Sequence, residues 1–252
     1  MISNIIDYRK KWDYLSYKSK SEKKIIFLHH TAGYDVFSAE DWLYKLSLKN
    51  YREKNSLVGV NYYIGKDGTI IYAIDNEKWA WHSATANVDF ESKTISIELD
   101  NLGFMRYDDS KKYLIDLYNN KWLIKDKYKN LIYASFRSYN FEFLELEKSW
   151  RGFNIYHKYS EPQINSLISL VDNLIRDFGI ERKISKNFLP EEATLNPYIL
   201  KDFSGIVNHS QFMGVKTYST NYLDIIRSYV KWDLSIVFPI NEFKQRLSLI
   251  EI

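Results

Sequence analysis

The chain holds five histidines, His29, His30, His82, His157 and His209, and they are its strongest candidates for metal or acid-base chemistry. His29 and His209 sit at the ends of two short, mostly apolar runs, KIIFLHH at 24–30 and FSGIVNH at 203–209. Each run reads as a buried strand whose end carries polar groups. Strand ends gather along one edge of a sheet, so residues far apart in sequence can meet there. A catalytic zinc site takes about three protein ligands from His, Asp, Glu or Cys and keeps one position open for water. The chain has no Cys, which excludes thiol nucleophiles, thiolate ligands and disulfides. A single His at a strand end is more often structural than a ligand, so on their own both histidines are open to either role.

The elements that would position these residues can be read in order. Ser38 with Asp41 resembles a capping box and is expected to open a helix with Trp42, Leu43, Leu46 and Tyr51 on its inner face. Residues 58–64 and 69–74 are strand-like and flank Gly65-Lys66-Asp67-Gly68, a hairpin turn by its Asp-Gly step. TISIEL at 94–99 alternates apolar and polar residues as a strand does. Ser160 and Gln163 form a second capping box. Ile164, Leu167, Ile168, Val171, Leu174, Ile175 and Phe178 then follow helical spacing up to Gly179. Residues 222–232 read as a closing helix. The order predicts an α/β fold, a central mixed β-sheet flanked by helices. The chain is expected to be one domain, 1–252, with ordered insertions at about 103–157 and 180–202, both too rich in aromatic or aliphatic residues for linkers.

Composition narrows the function. The 252 residues are 45% hydrophobic and 27% charged, a globular balance. Aromatics make up 17%, and most are expected in the core. The net charge of +3 is too balanced to suggest nucleic acid as a partner. No apolar run approaches the roughly 20 residues of a membrane span. Residues 1–16 are broken by Asp7, Arg9, Lys10, Lys11 and Asp13, so no classical signal peptide is expected there.

Several blocks together resemble one known family. IIFLHHTAG at 25–33, GVNYYIGKDGTIIYAI at 59–74, KWAWHSA at 78–84, TISIELDN at 94–101, the helix at 159–180 and GIVNHSQF at 205–212 occur in its order. The family is the type 2 N-acetylmuramoyl-L-alanine amidases, whose fold is shared with phage lysozyme-type amidases and peptidoglycan recognition proteins. The resemblance covers roughly half the chain. It implies Zn²⁺ bound by His29 and His209, Glu98 as the acid-base residue and Lys216 as the group that stabilises the oxyanion. It also implies substrate contacts from His30, Asn61, Trp81 and His82. Peptidoglycan would be the partner, cut between the lactyl group of N-acetylmuramic acid and L-alanine. The insertions would offer a dock for a phage or secretion assembly. The protein would stay cytoplasmic until release, or reach the cell wall through a phage particle, lysis or a secretion system.

The pattern also departs from the family. Tyr218 stands where a third ligand, Asp or Cys, is expected two positions after Lys216, and Asp224 is the nearest acid downstream. A phenol must lose a proton of pKa about 10 before it can bind a metal. A peptidoglycan-binding module without cleavage, or a structural component on the same fold, is therefore the alternative expectation. Plainer readings accompany the site: Glu98 as a surface acid on an edge strand, Trp81 and His82 as packing of the groove wall, His30 as a core hydrogen-bonding residue, Lys216 as a solvated loop residue, and His157, outside any motif, as a surface residue.

Overall fold

The computed structural model describes residues 4–18, 22–31, 33, 35–54, 56–83, 87–111, 113–116, 121–125, 130–133, 142–190, 200, 202–212 and 237–252. In chain order the elements are β1 (Ile5–Asp7), α1 (Arg9–Trp12), β2 (Tyr17–Lys18), β3 (Ile25–His30) and α2 (Val36–Lys54). Next come β4 (Tyr62–Ile64), β5 (Ile70–Tyr72), β6 (Lys78–Trp79), α3 (Val88–Ser92) and β7 (Thr94–Leu99). The inserted region holds β8 (Phe104–Tyr107), β9 (Tyr113–Asp116), β10 (Lys121–Lys125), β11 (Asn130–Tyr133), β12 (Phe143–Trp150) and β13 (Phe153–His157). Then follow α4 (Glu161–Phe178), β14 (Lys183–Ile184), β15 (Gly205–Asn208), α5 (Ile240–Leu247) and β16 (Ile250–Glu251). Among the described residues no helix is long and apolar enough to cross a membrane.

The main sheet is mixed, in the order β1-β5-β4-β7-β3-β15-β14-β16. Its centre is parallel, and β4 and β5 form the antiparallel hairpin. Parallel sheets are covered on both faces, so their strands bury every side chain. All six residues of β3 and all six of β7 are buried. The alternation in TISIEL therefore separates two buried faces rather than a wet face from a dry one. On one face Ile26, Leu28, Ile95, Ile97 and Ile206 pack against Leu167, Val171 and Leu174 of α4 and Phe243 of α5. On the other, Phe27 and Val207 meet Phe90 and Phe212, while Tyr63 and Ile71 meet Trp12, Leu15 and Leu43. The β4–β5 turn needs Gly68, whose φ of +85° is unfavourable for other residues and where a Cβ would lie 2.9 Å from the Pro162 carbonyl oxygen.

Helix α2 starts earlier than its sequence suggests. Asp35 is the cap: its carboxylate accepts from the Ser38 amide at 3.2 Å and the Ser38 hydroxyl at 2.7 Å. A carboxylate there also meets the positive end of the helix dipole, an advantage that Ser38 lacks. The expected inner face is displaced too, because Trp42 and Tyr51 are 49% and 45% exposed. Leu43 packs inward as expected, but its companions are Val36, Glu40 and Ser47, and Glu40 is buried as the acceptor for Trp12 Nε1 at 2.6 Å and Lys11 Nζ at 2.8 Å. A search for apolar residues misses a face built partly on a satisfied acid.

Helix α4 follows its sequence. Ser160 accepts from the Gln163 amide at 3.3 Å, and Gly179 ends the helix at φ +63°. The Gln163 side chain does not complete a capping box. It is fully buried, and its Nε2 donates at 2.9 Å to the carbonyls of Ile64 and Asp100, clamping the helix start onto β4 and the end of β7.

The insertion at 103–157 forms its own antiparallel sheet, ordered β11-β10-β9-β8-β13-β12. His157 closes it and is buried at 2% exposure, not a surface residue. Its Nδ1 accepts from the Leu102 amide at 3.1 Å, which draws the ring inward. Part of the second insertion enters the main sheet as β14, beside β15. The expected helix at 222–232 lies outside the described residues.

Replacing Gln163 with Leu should lower stability by roughly 1–3 kcal/mol, because the clamp's acceptors lose a buried donor. Urea unfolding checks this, and an unchanged midpoint would show that the clamp contributes nothing.

Candidate active site

Strand register assembles the site. β3 runs parallel to β7 with His29 opposite Glu98, and β4 runs parallel to β7 with Tyr63 opposite Glu98. β15 pairs Asn208 with Leu28, so the next step along brings His209 beside His29. Partners in register point to the same face of a sheet. Tyr63, Glu98, His29 and His209 thus form a row at the carboxyl ends of four neighbouring strands. Ligands of open α/β sheets bind at such ends. Glu98 therefore lies on a central strand, and the reading of it as a surface acid on an edge strand is corrected.

The row is dry. His29 is 1% exposed and stacks on Phe27, with ring centroids 4.4 Å apart. Its centroid lies 5.0 Å from that of His209 and 5.1 Å from that of His82. Its Nε2 is 3.0 Å from His82 Nδ1. Burial, then the neighbouring His209, holds the pKa values of His29 and His82 well below the usual imidazole value. Neutral imidazoles are the form a metal requires. Burial pushes the Glu98 carboxyl up to about 8, and among the described residues its Oε2 has no hydrogen-bond partner. The Tyr63 hydroxyl also lacks a partner among the described residues, and burial followed by Glu98 raises it well above the usual phenol value. Tyr63 is not among the residues expected from sequence; its cue is the even spacing from Asn61, which puts both on one face of the strand.

The other expected site residues fall in different places. His30 points to the opposite face, 2% exposed and close against Gly103, where an added Cβ would lie 3.1 Å from its ring. Asn61 is 2% exposed and braces the strands: its Oδ1 accepts from the Ser96 amide at 2.9 Å, and its Nδ2 donates to the Ile74 carbonyl at 3.1 Å. Trp81 is half-buried and meets Trp79 edge-on at 5.3 Å. The His82 side chain is 3% exposed, and both of its ring nitrogens face protein atoms. Lys216, Tyr218 and Asp224 lie outside the described residues.

The donor set fits a zinc ion at two positions. His29 and His209 are nitrogen donors side by side, and the His29 Nδ1 makes no hydrogen bond with the described residues. Among the described residues no group of three or more His, Asp or Glu could hold a metal. A third ligand would have to come from outside them.

Residues 19–218 match the family model described as N-acetylmuramoyl-L-alanine amidase. No curated protein matches the chain. Similar solved structures include the N-acetylmuramoyl-L-alanine amidase LysC from Clostridium intestinale URNW. It is 12% identical, with 98% of this chain and 99% of that chain covered and a TM-score of 0.45. The N-acetylmuramyl-L-alanine amidase AmiD from E. coli is 15% identical, over 89% of this chain and 57% of that one, with a TM-score of 0.42. The Drosophila peptidoglycan recognition protein SA is 11% identical, over 88% and 90%, with a TM-score of 0.42.

The site makes metal-free stability depend on pH. Glu98 keeps its proton to about 8 when folded, against an ordinary value of 4.5. The folded state therefore binds more protons between those values. The stability this brings is complete below the lower value and lost as pH rises through the upper one. Glu98→Gln should gain on the wild type as pH rises from 4.5 to about 8, and hold a constant advantage above that. Urea midpoints of the chelated proteins measure it, and a constant difference across that window would show that Glu98 is already ionised.

Proposed function

The chain belongs to the N-acetylmuramoyl-L-alanine amidase family, and on that premise we propose that it is a zinc-dependent peptidoglycan amidase. The bond hydrolysed joins the lactyl group of N-acetylmuramic acid to L-alanine. One observation carries the reading: the register that sets His29, Glu98 and His209 in a row at adjacent strand ends.

His29 and His209 would hold the metal through their ring nitrogens. Zinc, when bound, supplies a Lewis acid for the scissile carbonyl and acidifies a water to a pKa of about 7. Glu98 takes the proton of the attacking water and delivers it to the leaving amine. Its dry surroundings suit both halves of that task, since a carboxyl near neutral pKa can accept and return a proton. The buried row also keeps bulk water from competing with the substrate. Lys216 stabilises the oxyanion in this scheme. Trp81, half-buried, would offer its ring to a sugar face.

A second reading, a peptidoglycan-binding module without cleavage, draws on Tyr218 at the position where the family carries Asp or Cys. The two separate cleanly by experiment. Under the amidase reading, purified protein releases new amino ends from peptidoglycan. Mild chelation stops the reaction and added Zn²⁺ restores it. Protein that binds peptidoglycan and takes up no zinc would establish the second reading.

Glu98→Ala should lower turnover by about 10²–10⁴-fold, the usual contribution of a general base. Capture of the variant on peptidoglycan should stay close to wild type, because groove binding is spread over many contacts. Wild-type turnover in the variant would remove Glu98 from the mechanism.

A further inference from the structure

Behind His29 a chain of hydrogen bonds runs through His82 and Thr94 to the Glu91 carbonyl, with the buried Glu91 carboxylate close beside it. The Thr94 hydroxyl donates to the Glu91 carbonyl at 2.7 Å, which leaves its oxygen to accept. The His82 Nε2 lies 2.6 Å from that oxygen and 3.1 Å from Glu91 Oε2. Glu91 is completely buried, and its carboxylate collects the backbone amides of His82 and Ser83, each at 3.2 Å, and the Ser83 hydroxyl at 2.5 Å. An oxygen pair that takes three donors is there to accept, so the His82 Nε2 carries a hydrogen.

The remaining protons follow. The His82 side chain is only 3% exposed and meets the His29 ring at 5.1 Å, and removal from water favours its neutral form. A neutral His82 with hydrogen on Nε2 has a bare lone pair on Nδ1. That lone pair faces His29 Nε2 at 3.0 Å, so His29 must donate from Nε2. Its own lone pair is then on Nδ1, the nitrogen that makes no hydrogen bond with the described residues. Phe27 fixes the ring plane by stacking at 4.4 Å. Lys23 fixes the frame: its buried Nζ donates to the carbonyls of Lys78 and Ser92 at 3.0 Å and of Thr94 at 2.8 Å, tying the segment before His82 to the start of β7.

We propose that Glu91, Thr94 and His82 are positioning residues that hold His29 in the Nε2–H tautomer, so that its Nδ1 lone pair is presented to a metal ion. This deepens the amidase reading and rests on it for the identity of His29 as a ligand. It also gives His82 a different task from the substrate contact expected from sequence. Groups that orient a metal-binding imidazole through its second nitrogen commonly affect metal affinity by 10–100-fold.

The test reads ring protons directly. In metal-free protein carrying ¹⁵N-histidine, long-range nitrogen–proton correlation at neutral pH should show both His29 and His82 protonated on Nε2 and bare on Nδ1. His82→Phe removes the acceptor, so His29 should then populate both tautomers, and zinc affinity, read by competition with a chelating dye, should fall about 10–100-fold. His82→Asn keeps an acceptor near the place of Nδ1 and should restore one tautomer and most of the affinity. A wild-type spectrum with His29 protonated on Nδ1, or with His82 protonated on both nitrogens, overturns the proposal even if no variant folds. So does a folded His82→Phe protein with unchanged tautomer and zinc affinity. Because the tautomers are read without zinc or peptidoglycan, a protein inert toward peptidoglycan would sink the amidase reading alone.

Discussion

Everything at this site depends on one register. Parallel pairing of β3 with β7 and with β15 leaves no freedom in which residues stand abreast. A slip of one residue would send His29 to the face packed by α4 and bring His30 into the row instead. What prevents the slip is apolar burial rather than the histidines. Ile26, Leu28, Ile95, Ile97 and Ile206 are each fully covered on one face, and Phe27 and Val207 on the other. At about 25 cal/mol for each Å² of apolar surface, exposing that set would cost far more than any polar contact at the strand ends could return. The core fixes the chemistry by fixing the alignment.

The same burial sets the protonation states. Removal from water favours the uncharged form of every titratable group, so imidazoles become weaker bases and carboxyls weaker acids. His29 and His82 move down and Glu98 moves up, with desolvation the largest cause in each case. Burial favours the uncharged forms of His29, His82 and Glu98 alike. The metal-free fold thus holds an acid that water would have ionised.

Much of this was legible in the chain, and the failures have physical causes. Strands 25–30 and 94–99, the Asp-Gly hairpin and the helix stopped by Gly179 follow from local pattern alone. His29, Glu98 and His209 were readable as a group through the family resemblance, and the register brings them abreast. The inner face of α2 was misread because Glu40 contributes to it, and a buried acid carries no apolar mark. His157 was misread because its burial depends on an amide of Leu102, 55 positions away along the chain. The relay through Glu91 and Thr94 has no spacing rule, since hydroxyl and carboxylate roles there depend on which atom already donates.

The neck of the inserted sheet has a consequence for how such a chain can vary. Residues 101–103 and His157 are stitched together: the His157 amide donates to the Gly103 carbonyl at 3.0 Å, and Asn101 Nδ2 donates to the His157 carbonyl at 3.1 Å. The excursion therefore begins and ends at one spot. The entropy of closing a loop grows only with the logarithm of its length, and here the closure is made by the neck itself. Strands can be added to or trimmed from the far side of that sheet without moving the ends of β7 and α4. The β12–β13 turn is also tied down, because Arg151 donates to the carbonyls of Pro190 and Ser210 at 3.0 and 2.7 Å, so room for change belongs to the far edge at β10 and β11.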